Sequence, residues 1–311
     1  MRADRYQNKK KISPKKVTGM QKNKVAKIGA GAIILVIIVV VALQFIGGRD
    51  KVEDKDAVYA GTSGWANGNV RVLLSDEYMP NTSHCYSALK YVYKTKDVNE
   101  WMQKNSDYSG KKLAFLTFDD GPSPKHTETV LDTLKKNNVH GTFFLVGNTV
   151  ESYGKKALME RYIKEGHAVG LHSQTHDYKN LYPGRVASPT LIQKEMKQCN
   201  EAIQKTLGKD FKTPTMRYPG GRMSWKSMDG ADELLNSEDN LYGIDWNISS
   251  GDATNDASHS SISQIKGEIE GSGTPDVVVI LMHDIRPYSV RDLQAIIDYL
   301  KSKGYEFGIL S

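Results

Sequence analysis

From Lys111 to the C-terminus, short apolar runs alternate with segments of helical periodicity. This alternation constrains the fold more than any other feature of the 311-residue chain. Seven strand candidates can be named: Leu113 to Phe118, Thr142 to Val146, Ala168 to Leu171, Thr215 to Tyr218, Leu241 to Trp246, Val277 to Met282 and Tyr305 to Leu310. Between them lie helical patterns near Glu128 to Asn137, Lys156 to Glu165, Pro189 to Leu207, Asp229 to Leu235, Ser260 to Glu270 and Val290 to Lys303. Strand then helix, repeated, predicts an α/β fold with a parallel sheet covered on its faces. No dinucleotide glycine pattern is present, so a distorted (β/α)7-8 barrel is expected rather than an open doubly wound sheet. In either architecture, functional groups collect at the carboxyl ends of the strands.

Five of those ends carry unusual residues. The first runs into Thr117-Phe118-Asp119-Asp120-Gly121-Pro122-Ser123. Two adjacent carboxylates there point in different directions, so one can bind a metal while the other stays free as a base; an Asp-Gly turn is the plainer reading. The third ends in Leu171-His172-Ser173-Gln174-Thr175-His176. Imidazoles four residues apart share a face of a helical turn and, with a carboxylate, form a set suited to zinc or a similar ion. Ser173 stands where the zinc-peptidase motif has its glutamate, which removes that enzyme's general base. The fourth ends in Arg217-Tyr218-Pro219-Gly220-Gly221, an arginine beside a turn able to aim an N–H at a developing oxyanion. The fifth ends in Asp245-Trp246, with Asp252 after Ser250-Gly251, and the sixth in Leu281-Met282-His283-Asp284. A histidine oriented by a carboxylate is a candidate general acid.

Taken in order, TFDDGPS, HSQTH, RYPGG, DW and LMH resemble the five motifs of the NodB-type polysaccharide deacetylases, carbohydrate esterase family 4, over Lys111 to Ser311. The resemblance implies that Asp120, His172 and His176 hold one divalent metal ion, zinc first with cobalt, manganese or nickel as alternatives. It implies that Asp119 is the base that activates the attacking water, paired with Arg217, which keeps it ionised. His283 would protonate the leaving amine with Asp245 orienting its ring, while Trp246 and Leu281 would line the pocket for the acetyl methyl. Gly220 stands where many members have tyrosine. The backbone N–H used for the oxyanion is retained there, but the pocket wall is altered. Tyr218, Trp246 and Tyr288 are aromatic residues that suit either stacking on sugar faces or, equally, ordinary places in the core or at the rim.

Upstream, Ile28 to Gly47 is uncharged and long enough to cross a bilayer as a helix. Residues 1–27 hold ten basic side chains and one acid, a net charge of +9 against +6 for the whole chain, leaving the remainder at −3. That asymmetry predicts a cytoplasmic basic tail, a single transmembrane anchor at 28–47 and an extracellular body. A slightly acidic body also has no field to draw nucleic acid. No A-x-A-like site follows the apolar run, which argues against a cleaved signal peptide. Residues 48–110 read as a linker and small accessory region with one amphipathic helix around Ser87 to Met102, and 111–311 as the catalytic domain. Cys85 and Cys199 lack metal-site spacing and leave open either one disulfide or two free thiols.

An outward-facing enzyme on a single anchor meets its own cell wall first. Acetylated polysaccharide, peptidoglycan N-acetylglucosamine foremost, is therefore the expected substrate, with chitin-type oligomers or acetylxylan as alternatives. A non-catalytic wall-binding scaffold would be expected to lack a ligand, base or acid, and none is missing.

Overall fold

Leu113–Asp119 (β2) is the spine of the fold. Its sequence, LAFLTFD, is apolar on both sides of the pleat, and all seven residues are buried, as a strand covered on both faces requires. The computed structural model describes residues 57–58, 73–74, 76–102 and 108–311. The described residues all belong to one compact unit.

Eight further strands join β2 in one sheet: Val92–Tyr93 (β1), Thr142–Leu145 (β3), Ala168–Leu171 (β4), Thr215–Met216 (β5), Tyr242–Gly243 (β6), Ile248–Ser249 (β7), Val277–His283 (β8) and Glu306–Leu310 (β9). Every pairing in this sheet is parallel. One edge of β2 is taken along its full length by β8. The other edge is divided, with Leu113–Phe115 pairing β9 and Thr117–Asp119 pairing β3. From β3 the sheet continues through β4, β5 and β6, while β7 pairs β8. No ladder among the described residues joins β6 to β7, so the sheet is a curled, open half-barrel rather than a closed (β/α)7-8 barrel.

Among the described residues, nine α-helices pack around it: Thr95–Trp101 (α1), Thr127–Lys136 (α2), Gly147–Tyr153 (α3), Lys156–Lys164 (α4), Tyr178–Leu181 (α5), Pro189–Leu207 (α6), Ala231–Asp239 (α7), Ser261–Gly271 (α8) and Pro287–Ser302 (α9). All seven expected strands and all six expected helices have counterparts. The fourth and fifth strands are shorter than expected, ending at Met216 and Gly243, because the chain turns away at Arg217–Gly221 and at Ile244. The helix expected around Ser87 to Met102 is broken. Tyr86–Tyr91 is a 3-10 helix, β1 follows, and only then does α1 begin. β-branched Val92 and aromatic Tyr93 suit an open sheet edge and pair Ile309 and Leu310 there.

The parallel register sets the site. His283 is paired with Asp119, and Leu171 with Met216, so His172 and Arg217 leave the sheet at one level. Cys85 and Cys199 are buried free thiols with separate partners, the Ser87 hydroxyl and the Leu145 carbonyl. The apolar span 28–47 lies outside the described residues. Among those described, no helix is long and apolar enough to cross a membrane.

Candidate active site

Three side chains from two strand ends converge on one point. After β2 the chain turns sharply at Asp120, whose φ of +74 is one that aspartate tolerates better than most side chains. Asp120 Oδ1 is buried, accepts no hydrogen bond, and lies 3.3 Å from His176 Nε2 and 3.6 Å from His172 Nε2. The three ligand atoms lie within 4.8 Å of one another. A buried, unsatisfied carboxylate oxygen facing two imidazole nitrogens is a donor set that a divalent cation completes. His172 Nδ1 donates to the Arg217 carbonyl at 2.8 Å, which leaves the Nε2 lone pair directed at the cluster. Burial, then the neighbouring His176 ring, lowers His172 to about 3, so it is a neutral imidazole suited to a metal.

The two histidines do not share a helical turn. Ser173 and His176 have φ of +65 and +58, and the loop is held by Ser173 Oγ accepting the His176 N–H at 2.9 Å and by Thr175 bonded to Glu195. The rings nevertheless come together at 5.0 Å.

Asp119 stands beside this cluster, buried, with Oδ2 3.7 Å from His172 Nε2. Arg217, fully buried, donates to Asp119 Oδ1 at 2.9 Å, to the Thr117 hydroxyl at 2.7 Å, and to the carbonyls of Ile244 and Asp245 at 3.0 Å. Its guanidinium also lies over the Phe144 and Trp246 rings. Burial raises the Asp119 carboxyl, and Arg217, His283 and His176 pull against it without fully cancelling the rise.

On the neighbouring strand end, His283 Nε2 lies 3.9 Å from Asp120 Oδ2. Its Nδ1 is 2.7 Å from Asp252 Oδ1, and Asp252 Oδ2 accepts both the His283 backbone N–H and the Ser289 hydroxyl. Burial works against the imidazolium. The hydrogen bond and charge of Asp252, joined by Asp119 and Asp120, outweigh it and raise His283 to about 9. Asp252 is lowered in turn, its burial outweighed by these same bonds.

The expectation that Asp245 orients His283 is therefore corrected: Asp252 fills that place. Asp245 faces the other way, its carboxylate accepting the Arg222 N–H at 3.2 and 3.3 Å and lying 3.5 Å from the Arg222 guanidinium. After β6 ends at Gly243 the chain passes through Asp245 and returns as β7, and pairing of β7 with β8 carries Asp252 to His283. Tyr218 is likewise no sugar platform. It is fully buried, with its hydroxyl donating to Asp232 at 3.0 Å.

Gly220 and Gly221 both have positive φ, +78 and +71. A Cβ on Gly221 would come within 2.6 Å of the Trp246 ring, so the turn can pack this closely only as glycine. Gly221 N–H donates to the Tyr218 carbonyl, whereas Gly220 N–H meets no acceptor among the described residues. Trp246 is half-buried over this turn and Leu281 is 9% exposed.

Asp284 is an addition from the structure. It is fully buried, its Oδ2 accepting the Thr127 hydroxyl at 2.5 Å while Oδ1 has no partner. Burial raises it to about 7.

A family model described as polysaccharide deacetylase matches residues 106–234. A peptidoglycan-N-acetylglucosamine deacetylase of Bacillus cereus is 38% identical over 210 residues, covering 65% of this chain and 71% of that protein. A namesake from Listeria monocytogenes is 32% identical, over 64% of this chain and 38% of its own length. Among solved structures, a Streptococcus mutans CE4 esterase superposes with a TM-score of 0.71 at 35% identity, covering 77% of this chain and all of the other. The extent of that first relationship, together with the matched domain, makes this chain a member of the polysaccharide deacetylase family, hydrolases of carbohydrate esterase family 4.

Proposed function

We propose that this polysaccharide deacetylase hydrolyses the N-acetyl groups of peptidoglycan N-acetylglucosamine, releasing acetate, with one divalent metal ion, zinc first, held by Asp120, His172 and His176. The observation that carries the reading is that two groups of opposite character stand against the ligand cluster, Asp119 3.7 Å from His172 and His283 3.9 Å from Asp120. Asp119 is anchored by Arg217, and His283 is held by Asp252.

An amide is a poor electrophile and an amine a poor leaving group. A bound cation supplies the Lewis acidity that polarises the acetyl carbonyl and acidifies water. Asp119 takes the proton of the attacking water, and Arg217 keeps its carboxylate in place through that transfer. The Gly220 N–H is free to donate to the developing oxyanion. His283, protonated below about 9, delivers a proton to the departing nitrogen. Base and acid are two separate groups, each held by its own partner, as amide hydrolysis requires.

The substrate part of the proposal draws on the activity named for the Bacillus cereus relative. It also draws on the charge and hydropathy of residues 1–47, which support a cytoplasmic tail, an anchor at Ile28 to Gly47 and a body facing the wall.

The test is acetate release by the full-length protein from purified peptidoglycan and from N-acetylglucosamine oligomers, with zinc or EDTA, beside Asp119→Asn. Release from peptidoglycan that needs both metal and Asp119 is the expected result. Release from the oligomers alone would move the substrate away from the wall. No release from either, with metal bound, would favour a wall-binding scaffold.

A further inference from the structure

The mechanism uses nothing on the side of the ligand cluster beyond His176, yet the structure is highly organised there. Tyr178 follows that ligand by two residues at the start of α5, which is capped by the Asp177 carboxylate accepting the Lys179 N–H at 2.9 Å. Its ring lies 5.0 Å from the His176 ring and is 44% exposed. Behind it stands Trp225, edge to face at 5.1 Å and 71°. Behind Trp225 is Tyr182, one helical turn after Tyr178, buried and stacked on the indole at 3.8 Å and 12°. Trp225 is fixed by its indole N–H, which donates to the Pro219 carbonyl at 3.2 Å.

The three rings come from two separate segments and form a ledge beside the His176 ring, exposed at Tyr178 and buried at Tyr182. The ledge also closes over the oxyanion turn. A Cβ on Gly220 would meet Trp225 at 3.1 Å and the Tyr178 hydroxyl at 3.4 Å, so these two rings pack against the turn in the space a side chain would need. The exposed Tyr178 ring is held in one orientation by the half-buried Trp225 and the buried Tyr182. Its apolar face and polar rim match the axial C–H face and equatorial hydroxyls of a pyranose. The site is continuous with the catalytic cluster, and a polymer that places one sugar at the metal must run over its surroundings.

We propose that Tyr178, backed by Trp225 and Tyr182, is a sugar-binding platform for the residue neighbouring the one deacetylated, so that the enzyme selects chains over short saccharides. The inference rests on the deacetylase reading above, and its test separates the two.

The zinc-loaded full-length protein is assayed for acetate release from the di- and the tetrasaccharide of N-acetylglucosamine. The tetrasaccharide is expected to be favoured in kcat/KM by about ten-fold, the scale of one well-packed aromatic contact. Tyr178→Ala should bring that ratio near one, and Tyr178→Phe, which keeps the ring, should retain it. A structural role alone would lower both substrates together and leave the ratio unchanged, which overturns the platform while the deacetylase reading stands. No preference in the wild type overturns it equally. Calorimetric binding of the tetrasaccharide to Asp119→Asn, with and without Tyr178→Ala, covers the remaining cases. Binding lost with the ring, but no acetate release by the wild type, would keep the platform and sink the deacetylase reading. Neither binding nor release would sink both.

Discussion

His283 Nδ1 lies 2.7 Å from Asp252 Oδ1, and the same aspartate accepts the His283 backbone N–H at 2.8 Å through its other oxygen. One carboxylate thus fixes both the ring and the strand end that carries it. With the buried carboxylate against it, the imidazolium persists up to about 9, so a general acid at this position stays protonated across the neutral range.

Asp252→Asn should therefore move the alkaline limb of kcat to lower pH by about one to two units, because the charge that raises His283 is gone. Activity through His283 is present below its pKa and lost above it, so the variant loses rate first at high pH. Asp245→Asn, whose carboxylate meets Arg222 instead, should leave the limb in place. pH–rate profiles of the two variants side by side decide between the aspartates.

Arg217 should be needed for folding as well as for catalysis. It satisfies Asp119, Thr117 and two carbonyls from a fully buried position. Arg217→Ala strands a buried carboxylate and is expected to cost about 3–5 kcal/mol of stability. Arg217→Lys should not rescue it, since one ammonium cannot reach partners spread around a planar fork. Urea unfolding measures both.

Metal binding should be visible without any assay of turnover. Zinc at about a hundred-fold over its Kd should stabilise the folded protein by about 2.7 kcal/mol and raise Tm accordingly. His172→Ala, which removes a ligand of the cluster, should abolish the shift. A shift that survives this variant would place the ion elsewhere.

Asp284 predicts a pH-dependent stability. Its carboxyl is raised from 3.8 to about 7 in the folded protein, so the folded state holds a proton that the unfolded state has already released. The resulting stabilisation is complete below the unfolded value and is lost as pH rises through about 7, a change of about 4 kcal/mol. Asp284→Asn has no such proton to lose. Its urea midpoint should fall less than that of the wild type between pH 4 and pH 8.

Much of the fold and most of the site were legible in the amino-acid order alone. Buried parallel strands must be continuous apolar runs, so Leu113–Asp119 and Val277–His283 announce themselves, and a carboxylate or imidazole closing such a run is conspicuous. That is why Asp119, Asp120, His172, Arg217 and His283 could be named before any coordinates. The adjacent motif DW at Asp245 and Trp246 misled because it also ends an apolar run. Which aspartate meets His283 depends on β7 leaving β6 and pairing β8, a choice made by long-range hydrogen bonding between Ile248–Ser249 and Ile280–Leu281. The burial of Tyr218 against Asp232, the opening of the barrel between β6 and β7, and the ring ledge from Tyr178 to Tyr182 are of the same kind. Local sequence determines periodicity and turn chemistry, and therefore which residues stand at strand ends. Only the packed sheet decides which of those ends face one another, because contacts between distant segments carry no signal in the spacing of either.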